Sequence, residues 1–272
     1  MSHVSLSVTT AEHVATVTLL GPGKGNAMGP DLWRELPEVF AALDADEAVR
    51  AVVVRGSGDH FTYGLDLMSM ISELGPHLAQ ATTAGPRTQL LGIIRRLQDA
   101  VNAVERCRKP VICAMHGWCI GGGIDLATAC DVRLCSAEAR FSVREVRVAM
   151  VADLGTLQRL PRVIGQGHAR ELALTGDDID AARAARIGLV NHVYDSADEL
   201  FAAATSMAAR MAANPPLVVQ GIKQVMNFSA DHPTADGLAY VALWNSAFLA
   251  SDDLTEAITA FATKRPPSFR GS

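Results

Sequence analysis

Residues 110–153, PVICAMHGWCIGGGIDLATACDVRLCSAEARFSVREVRVAMVAD, restrict the fold more than any other stretch. Val111–Met115 is apolar throughout and too short for a helix, which marks a strand buried on both faces. Gly121, Gly122 and Gly123 then interrupt the chain, and a helical pattern starts at Ile124-Asp125. Strands of this kind that pass through glycine into helices build α/β folds. The same order occurs earlier. Ala51–Val54 ends at Gly56-Ser57-Gly58, and Gly64-Leu65-Asp66-Leu67 echoes Gly123-Ile124-Asp125-Leu126. An Asp in the first helical turn suits the helix dipole. The echo also fits two stacked layers whose helix N-termini face one ligand.

The flanking sequence completes an α/β pattern. Residues 4–20 alternate as a hairpin turning at Glu12-His13. Leu32, Leu36, Val39, Phe40 and Leu43 share a helix face within 31–43, and Leu90, Ile93, Ile94, Leu97, Val101 and Val104 share one within 88–105. A strand is expected at Val132–Cys135. Beyond Gly155 the pattern is mostly helical. Asp180 is a plausible N-cap for Ala181–Ile187, Gly188 ends that helix, and Val190–Val193 is a further strand. Helices follow at 197–213, 217–228, 234–249 and 254–263, broken by Pro215-Pro216 and Pro233.

Composition excludes several function classes. A formal net charge of −5 argues against nucleic acid as a partner. No apolar run reaches the ~20 residues of a membrane helix, and MSHVSLSVTT lacks the features of a secretory signal, so the expected setting is cytoplasmic. The basic cluster Arg95, Arg96, Arg106, Arg108 and Lys109 reads as a solvated helix face, with help in holding an anionic ligand as the rival reading. Five cysteines without a C-x-x-C pair read as buried thiols, and the scattered histidines give no metal spacing, so no metal is expected.

The glycine turn and its acids limit the chemistry. Backbone N–H groups at a glycine-rich helix start hold either a phosphate or the charge developing on a carbonyl oxygen. A P-loop would need Gly-Lys-Ser/Thr where this chain has Gly-Ile-Asp, and a dinucleotide site would need G-x-G-x-x-G. No G-x-S-x-G nucleophile elbow is present. An oxyanion hole beside carboxylates remains, suited to proton transfer next to a thioester. Asp125, Glu145 and Asp153 are the candidate acids. Each has an alternative reading: Asp125 as a cap on its own helix, Glu145 as a surface ion-pair member between Arg144 and Arg147, and Asp153 as a turn residue before Gly155.

Gly117–Asp125 and Phe61-Thr62-Tyr63-Gly64-Leu65-Asp66-Leu67 resemble the enoyl-CoA hydratase/isomerase (crotonase) superfamily. So do Asn26-Ala27-Met28, Lys109–Ile112, Leu174-Thr175-Gly176, Gly188-Leu189-Val190 and Phe261-x-x-Lys264-Arg265. The resemblance implies a spiral of strand–strand–helix repeats over residues 1–195 and a helical trimerisation region over 196–272. It implies acyl-CoA substrates, no cofactor beyond the coenzyme A that the substrate carries, and a homotrimer or a hexamer of two trimers. The oxyanion donors would be the N–H groups of Leu65 and Gly122, and coenzyme A contacts would fall on Lys24, Ala27, Asp66 and Lys264, the last from a neighbouring subunit. Asp125, Glu145 and Asp153, with Phe61–Met70 and Glu105-Arg106-Cys107, look like the Δ(3,5)-Δ(2,4)-dienoyl-CoA isomerases of unsaturated fatty-acid β-oxidation. That likeness implies Glu145 as base at C2, Asp153 as acid at C6 and Asp125 as orienting residue. Asp153 would then be protonated at rest, desolvated by Val148, Ala149, Met150, Val151 and Leu154. The alternatives are a 2-trans-enoyl-CoA hydratase and a non-catalytic acyl-CoA-binding oligomer. The C-terminal Arg270-Gly271-Ser272 is not a peroxisomal S-K-L address, in keeping with the cytoplasmic expectation.

Overall fold

The structure, a computed structural model, describes residues 3–21, 25–79 and 83–272. In chain order its elements are β1 (Leu6–Ala11), β2 (Val14–Leu19), α1 (Pro30–Ala45), β3 (Ala51–Gly56), α2 (Leu67–Ala79), α3 (Ala84–Arg106), β4 (Val111–Met115), β5 (Trp118–Ile120), α4 (Gly122–Ala129), β6 (Val132–Ser136) and β7 (Arg140–Ser142). A 3₁₀ turn at Glu145–Val148 follows. The remainder is α5 (Thr156–Thr175), β8 (Ile179–Asp180), α6 (Ala181–Arg186), β9 (His192–Tyr194), α7 (Ala197–Ala212), α8 (Pro216–Asp231), α9 (Thr234–Phe248) and α10 (Asp252–Thr263).

The main sheet has the order β1-β2-β3-β4-β6-β9, parallel apart from the antiparallel β1/β2 hairpin. Glu12 and His13 turn that hairpin with φ of 47° and 67°, the left-handed pair that a two-residue turn between twisted strands requires. A smaller sheet, β5-β7-β8, runs beside the first. Two single bridges, Met28 with Leu65 and Thr62 with Cys119, carry its pairing onward to the segments after β2 and β3. The chain therefore spirals: long strand, short strand, helix. The G-φ-D-L echo marks two of the turns. Trp118–Ile120, expected as part of a glycine turn, is one of the short strands.

Side chains on the central strands alternate between two cores, as the pleat dictates. Val52, Val54, Cys113 and Met115 pack with α1 and α3. Ala51, Val53, Ile112 and Ala114 pack under α7, whose Leu200, Ala204, Ala208 and Ala212 recur every four residues. This double cover explains why Ala51–Val54 of β3 and the whole of β4 read as unbroken apolar runs. Asp180 caps α6 through the Arg183 N–H, as its position indicated. All five cysteines are buried as free thiols.

One part of the basic cluster is corrected. Lys109 is only 4% exposed, and burial lowers its pKa. The turn from α3 into β4 folds it inward beneath α8. There Lys223 donates to the Lys109 carbonyl at 3.1 Å and to Asp131 Oδ2 at 2.8 Å. The same Asp131 oxygen accepts the Val111 N–H at 2.7 Å, so one ion pair fastens α8 to the start of β4. Lys223 is 7% exposed but the Asp131 side chain is 28% exposed, so water reaches that carboxylate once the ammonium is gone. Lys223→Met should therefore lower the unfolding free energy by about 1 kcal/mol in urea titrations.

Candidate active site

The site forms where two turns of the spiral touch. Met28 N–H donates to Gly64 O at 2.8 Å and Asp66 N–H donates to Met28 O at 3.0 Å. In such a parallel bridge Met28 is bracketed by residues 64 and 66, which turns the N–H of Leu65 to the opposite side. Gly64, at φ 81°, presses on the next turn so closely that a Cβ there would lie 2.6 Å from Ile120 O and 3.3 Å from Gly122 N. Gly122 opens α4, where an N–H has no carbonyl one turn back. A Cβ on Gly122 would lie 3.9 Å from Leu65 N. Among the described residues neither N–H has a backbone acceptor. Two unused donors on adjoining backbones are what an oxyanion hole needs.

Three carboxylates surround this point. Asp125, on α4, is fully buried. It does not cap its own helix: Oδ1 accepts the Thr156 N–H at 2.6 Å and so holds the first residue of α5. Its Oδ2 is buried without a partner among the described residues. Burial, opposed by the hydrogen bonding from Thr156, pushes this carboxyl up to about 6.

Glu145 opens the 3₁₀ turn, and its Oε1 would lie 3.2 Å from a Cβ on Gly121. A glycine at φ 52° thus admits the carboxylate against the backbone next to Gly122. The surface ion-pair reading of Glu145 fails, because its neighbouring arginines turn elsewhere: Arg144 to Asp178, and Arg147 to Asp177 at 2.9 Å. Glu145 Oε2 is buried and has no partner among the described residues. Burial, reinforced by the charges of Asp125 and Asp153, pushes Glu145 up to about 7. A carboxyl poised there can exist in both protonation states at neutral pH.

Asp153 lies in the loop before α5, with its main-chain oxygen accepting from Gln98 Nε2 at 2.7 Å. Desolvation raises its pKa. The source of that desolvation differs from expectation. Val148, Met150 and Val151 face solvent, Val151 at 74% exposure, while Ala152 and Leu154 are buried. The left-handed Ala149, at φ 59°, ends the 3₁₀ turn where these exposed side chains emerge. Asp153 itself stays open on one side.

The expected coenzyme A contacts are scattered. Lys24 lies outside the described residues. Ala27 is half-buried beside Met28, next to the oxyanion donors. The Asp66 carboxylate is committed to the start of α2, accepting from Ser69 N at 3.1 Å and from Ser69 Oγ at 2.5 Å, which lowers its pKa. Lys264 is exposed at the end of α10. The tail beyond it packs on Arg50 through the Phe269 carbonyl, at the opposite end of β3 from the Leu65 loop. Within one chain Lys264 is not brought to the cleft. Thr156 and Gln98 escaped notice in the sequence, because contacts across 31 and 55 residues leave no local spacing.

The family model described as Enoyl-CoA hydratase/isomerase matches residues 9–272. The chain is 43% identical to a protein of Dictyostelium discoideum named Delta(3,5)-Delta(2,4)-dienoyl-CoA isomerase, mitochondrial, over 98% of this chain and 91% of that one. It is 45% identical to the peroxisomal Delta(3,5)-Delta(2,4)-dienoyl-CoA isomerase of Arabidopsis thaliana, over 91% of this chain and 89% of that one. Its fold matches the crystal structure of an enoyl-CoA hydratase from Bacillus anthracis with a TM-score of 0.89 at 28% identity, covering 99% of this chain and all of that one. The mitochondrial and peroxisomal names overturn the cytoplasmic expectation. That expectation rested on the lack of a membrane-length apolar run and of secretory-signal features, and neither of these fixes a compartment.

The raised Asp125 pKa has a stability consequence. A folded-state value near 6 against an ordinary 3.8 means that the native state holds the proton more tightly than the unfolded chain. Asp125 therefore costs nothing below both values, costs progressively more between them, and costs most above about 6. Asp125→Asn keeps the oxygen that accepts from Thr156 and removes the charge. Its unfolding free energy at pH 8 should exceed that of the parent by on the order of 2 kcal/mol, and the gain should shrink as the pH falls below about 6 and disappear below 3.8 in thermal melts.

Proposed function

Because this chain belongs to the enoyl-CoA hydratase/isomerase family, we propose that it converts 3,5-dienoyl-CoA thioesters to 2,4-dienoyl-CoA in the oxidation of unsaturated fatty acids. The observation that carries this reading is the trio of carboxylates beside two free backbone donors, with Glu145 left unneutralised by the arginines on either side of it. The 43% and 45% identities to proteins named as dienoyl-CoA isomerases support the same reaction.

The thioester oxygen accepts from Leu65 and Gly122. Glu145 removes a proton from C2, and the electron pair spreads through C1 onto that oxygen and along the diene. Asp153 delivers a proton to C6, leaving double bonds at C2 and C4. Glu145 then returns its proton to solvent and Asp153 regains one, so the cycle is neutral and needs no cofactor beyond the coenzyme A in the substrate. One carboxylate cannot serve two carbons several bonds apart, whereas two acids along the acyl chain can. The open side of Asp153 is where that chain lies. An apolar chain there excludes water, raises the carboxyl further and keeps it protonated for C6. Asp125 raises the proton affinity of Glu145 through its charge and fixes the start of α5.

The working unit is a homotrimer or a pair of trimers. Val218, Ile222, Met226, Leu238, Leu243 and Phe261 on α8–α10 are exposed apolar residues, a face that a second copy would cover. A neighbouring copy is also the source from which Lys264 reaches coenzyme A.

Given a 3,5-dienoyl-CoA, the purified protein should raise ultraviolet absorbance as the diene becomes conjugated with the thioester. Glu145→Gln and Asp153→Asn should each reduce that rate about 10²-fold or more. Turnover of a 2-enoyl-CoA alone, by addition of water, would replace the isomerase with the hydratase. The isomerisation rate should rise with pH through about 7, as Glu145 loses its proton. Asp125→Asn removes a charge that raises Glu145, so in any activity it retains this limb should move to lower pH.

A further inference from the structure

Asp153 carries its carboxyl on a loop, and a loop alone does not hold an acid over one carbon of a flexible chain. The support comes from α3. Gln98 donates to the Asp153 main-chain oxygen at 2.7 Å. One and two turns further along the same face, Asn102 Oδ1 and Glu105 Oε2 accept from Arg159 Nη2 at 2.6 and 2.7 Å. Arg159, with its side chain 11% exposed, also reaches the Leu154 carbonyl at 3.4 Å. Its guanidinium lies so close to Gly155 that a Cβ there would be 1.9 Å from Nη1. The residues just after Asp153 are thus pinned from both sides. The adjoining face of α3 is anchored in the core by Leu97, Val101 and Val104.

Glu145 is supported by a different set of groups: the 3₁₀ turn, the glycine wall at Gly121, and the pairs that Arg144 and Arg147 make with Asp178 and Asp177. None of these involves α3. We propose that Gln98 and Arg159 are positioning residues for Asp153, so that α3 aligns the proton delivered to C6 independently of the proton removed at C2. This inference rests on the assignment of Glu145 to C2 and Asp153 to C6.

The two half-reactions can be read separately. Exchange of the C2 proton of a 3,5-dienoyl-CoA with D₂O reports enolate formation at Glu145 and the oxyanion donors. Absorbance gain reports delivery at C6. Gln98→Met removes the donor at similar length, and Arg159→Lys keeps the charge while losing the forked contact with Asn102 and Glu105. Each should slow isomerisation about tenfold, the scale of a small misplacement. C2 exchange should stay within about twofold of the parent, with the melting temperature of Gln98→Met unchanged. A variant that loses both activities equally, or neither, overturns the positioning role. Asp153→Asn is run beside them. If it shows the same split while Gln98→Met and Arg159→Lys do not, the α3 inference fails and the assignment of Asp153 stands. If Asp153→Asn shows no split, the assignment and the inference fall together.

Discussion

Everything at the site depends on how closely two backbones approach. Gly64 and Gly122 belong to successive turns of the spiral, and the space between them has no room for a side chain on Gly64. The contact places the N–H of Leu65 beside the N–H that opens α4. Neither donor could be supplied by a flexible side chain with the same fixed direction, and fixed direction is what lets a dipole stabilise charge without reorganising. The stacking of the turns serves the sheets and the site through one contact: Thr62 bridges Cys119 in the small sheet while Gly64, two residues on, meets Ile120 O.

Around those donors the protein accepts an electrostatic disadvantage. Asp125 and Glu145 are both raised by burial, each has one oxygen buried without a partner among the described residues, and each feels neighbouring negative charge. The nearby arginines are used elsewhere, on Asp177, Asp178 and Glu105. Neutralising Glu145 would stabilise the fold and leave it too weak a base for a carbon acid. The unneutralised carboxylates are thus evidence of function, since a core selected only for stability would pair or replace them.

The sequence exposed those parts of the structure whose cause is local. The strands β3 and β4 were legible because double burial leaves Ala51–Val54 and Val111–Met115 without a polar side chain, and the cap at Asp180 because capping acts over three residues. Asp125, Glu145, Asp153 and the Leu65/Gly122 pair were legible through the motifs around them. Other features were hidden by physics of longer range. The three-residue strand at Trp118–Ile120 has no period of its own and exists because Thr62 and Arg140 lie on either side of it. Lys109 reads as one more surface cation until α8 folds over it. Val148, Met150 and Val151 read as a desolvating shell, yet apolar character does not say which way a residue points after a left-handed Ala149. A cap on its own helix is the alternative reading of Asp125, and the carboxylate instead holds the start of α5.

The central claim is that two different acids move the two protons. Its most direct measurement is the fate of deuterium when the parent enzyme turns over a 3,5-dienoyl-CoA in D₂O. Asp153 faces solvent between turnovers, so its proton exchanges and the 2,4-dienoyl product should carry deuterium at C6 from the first turnover. A product whose C6 position holds the protium that left C2 would mean that one base carries the proton along the chain, and would contradict the division of labour between Glu145 and Asp153.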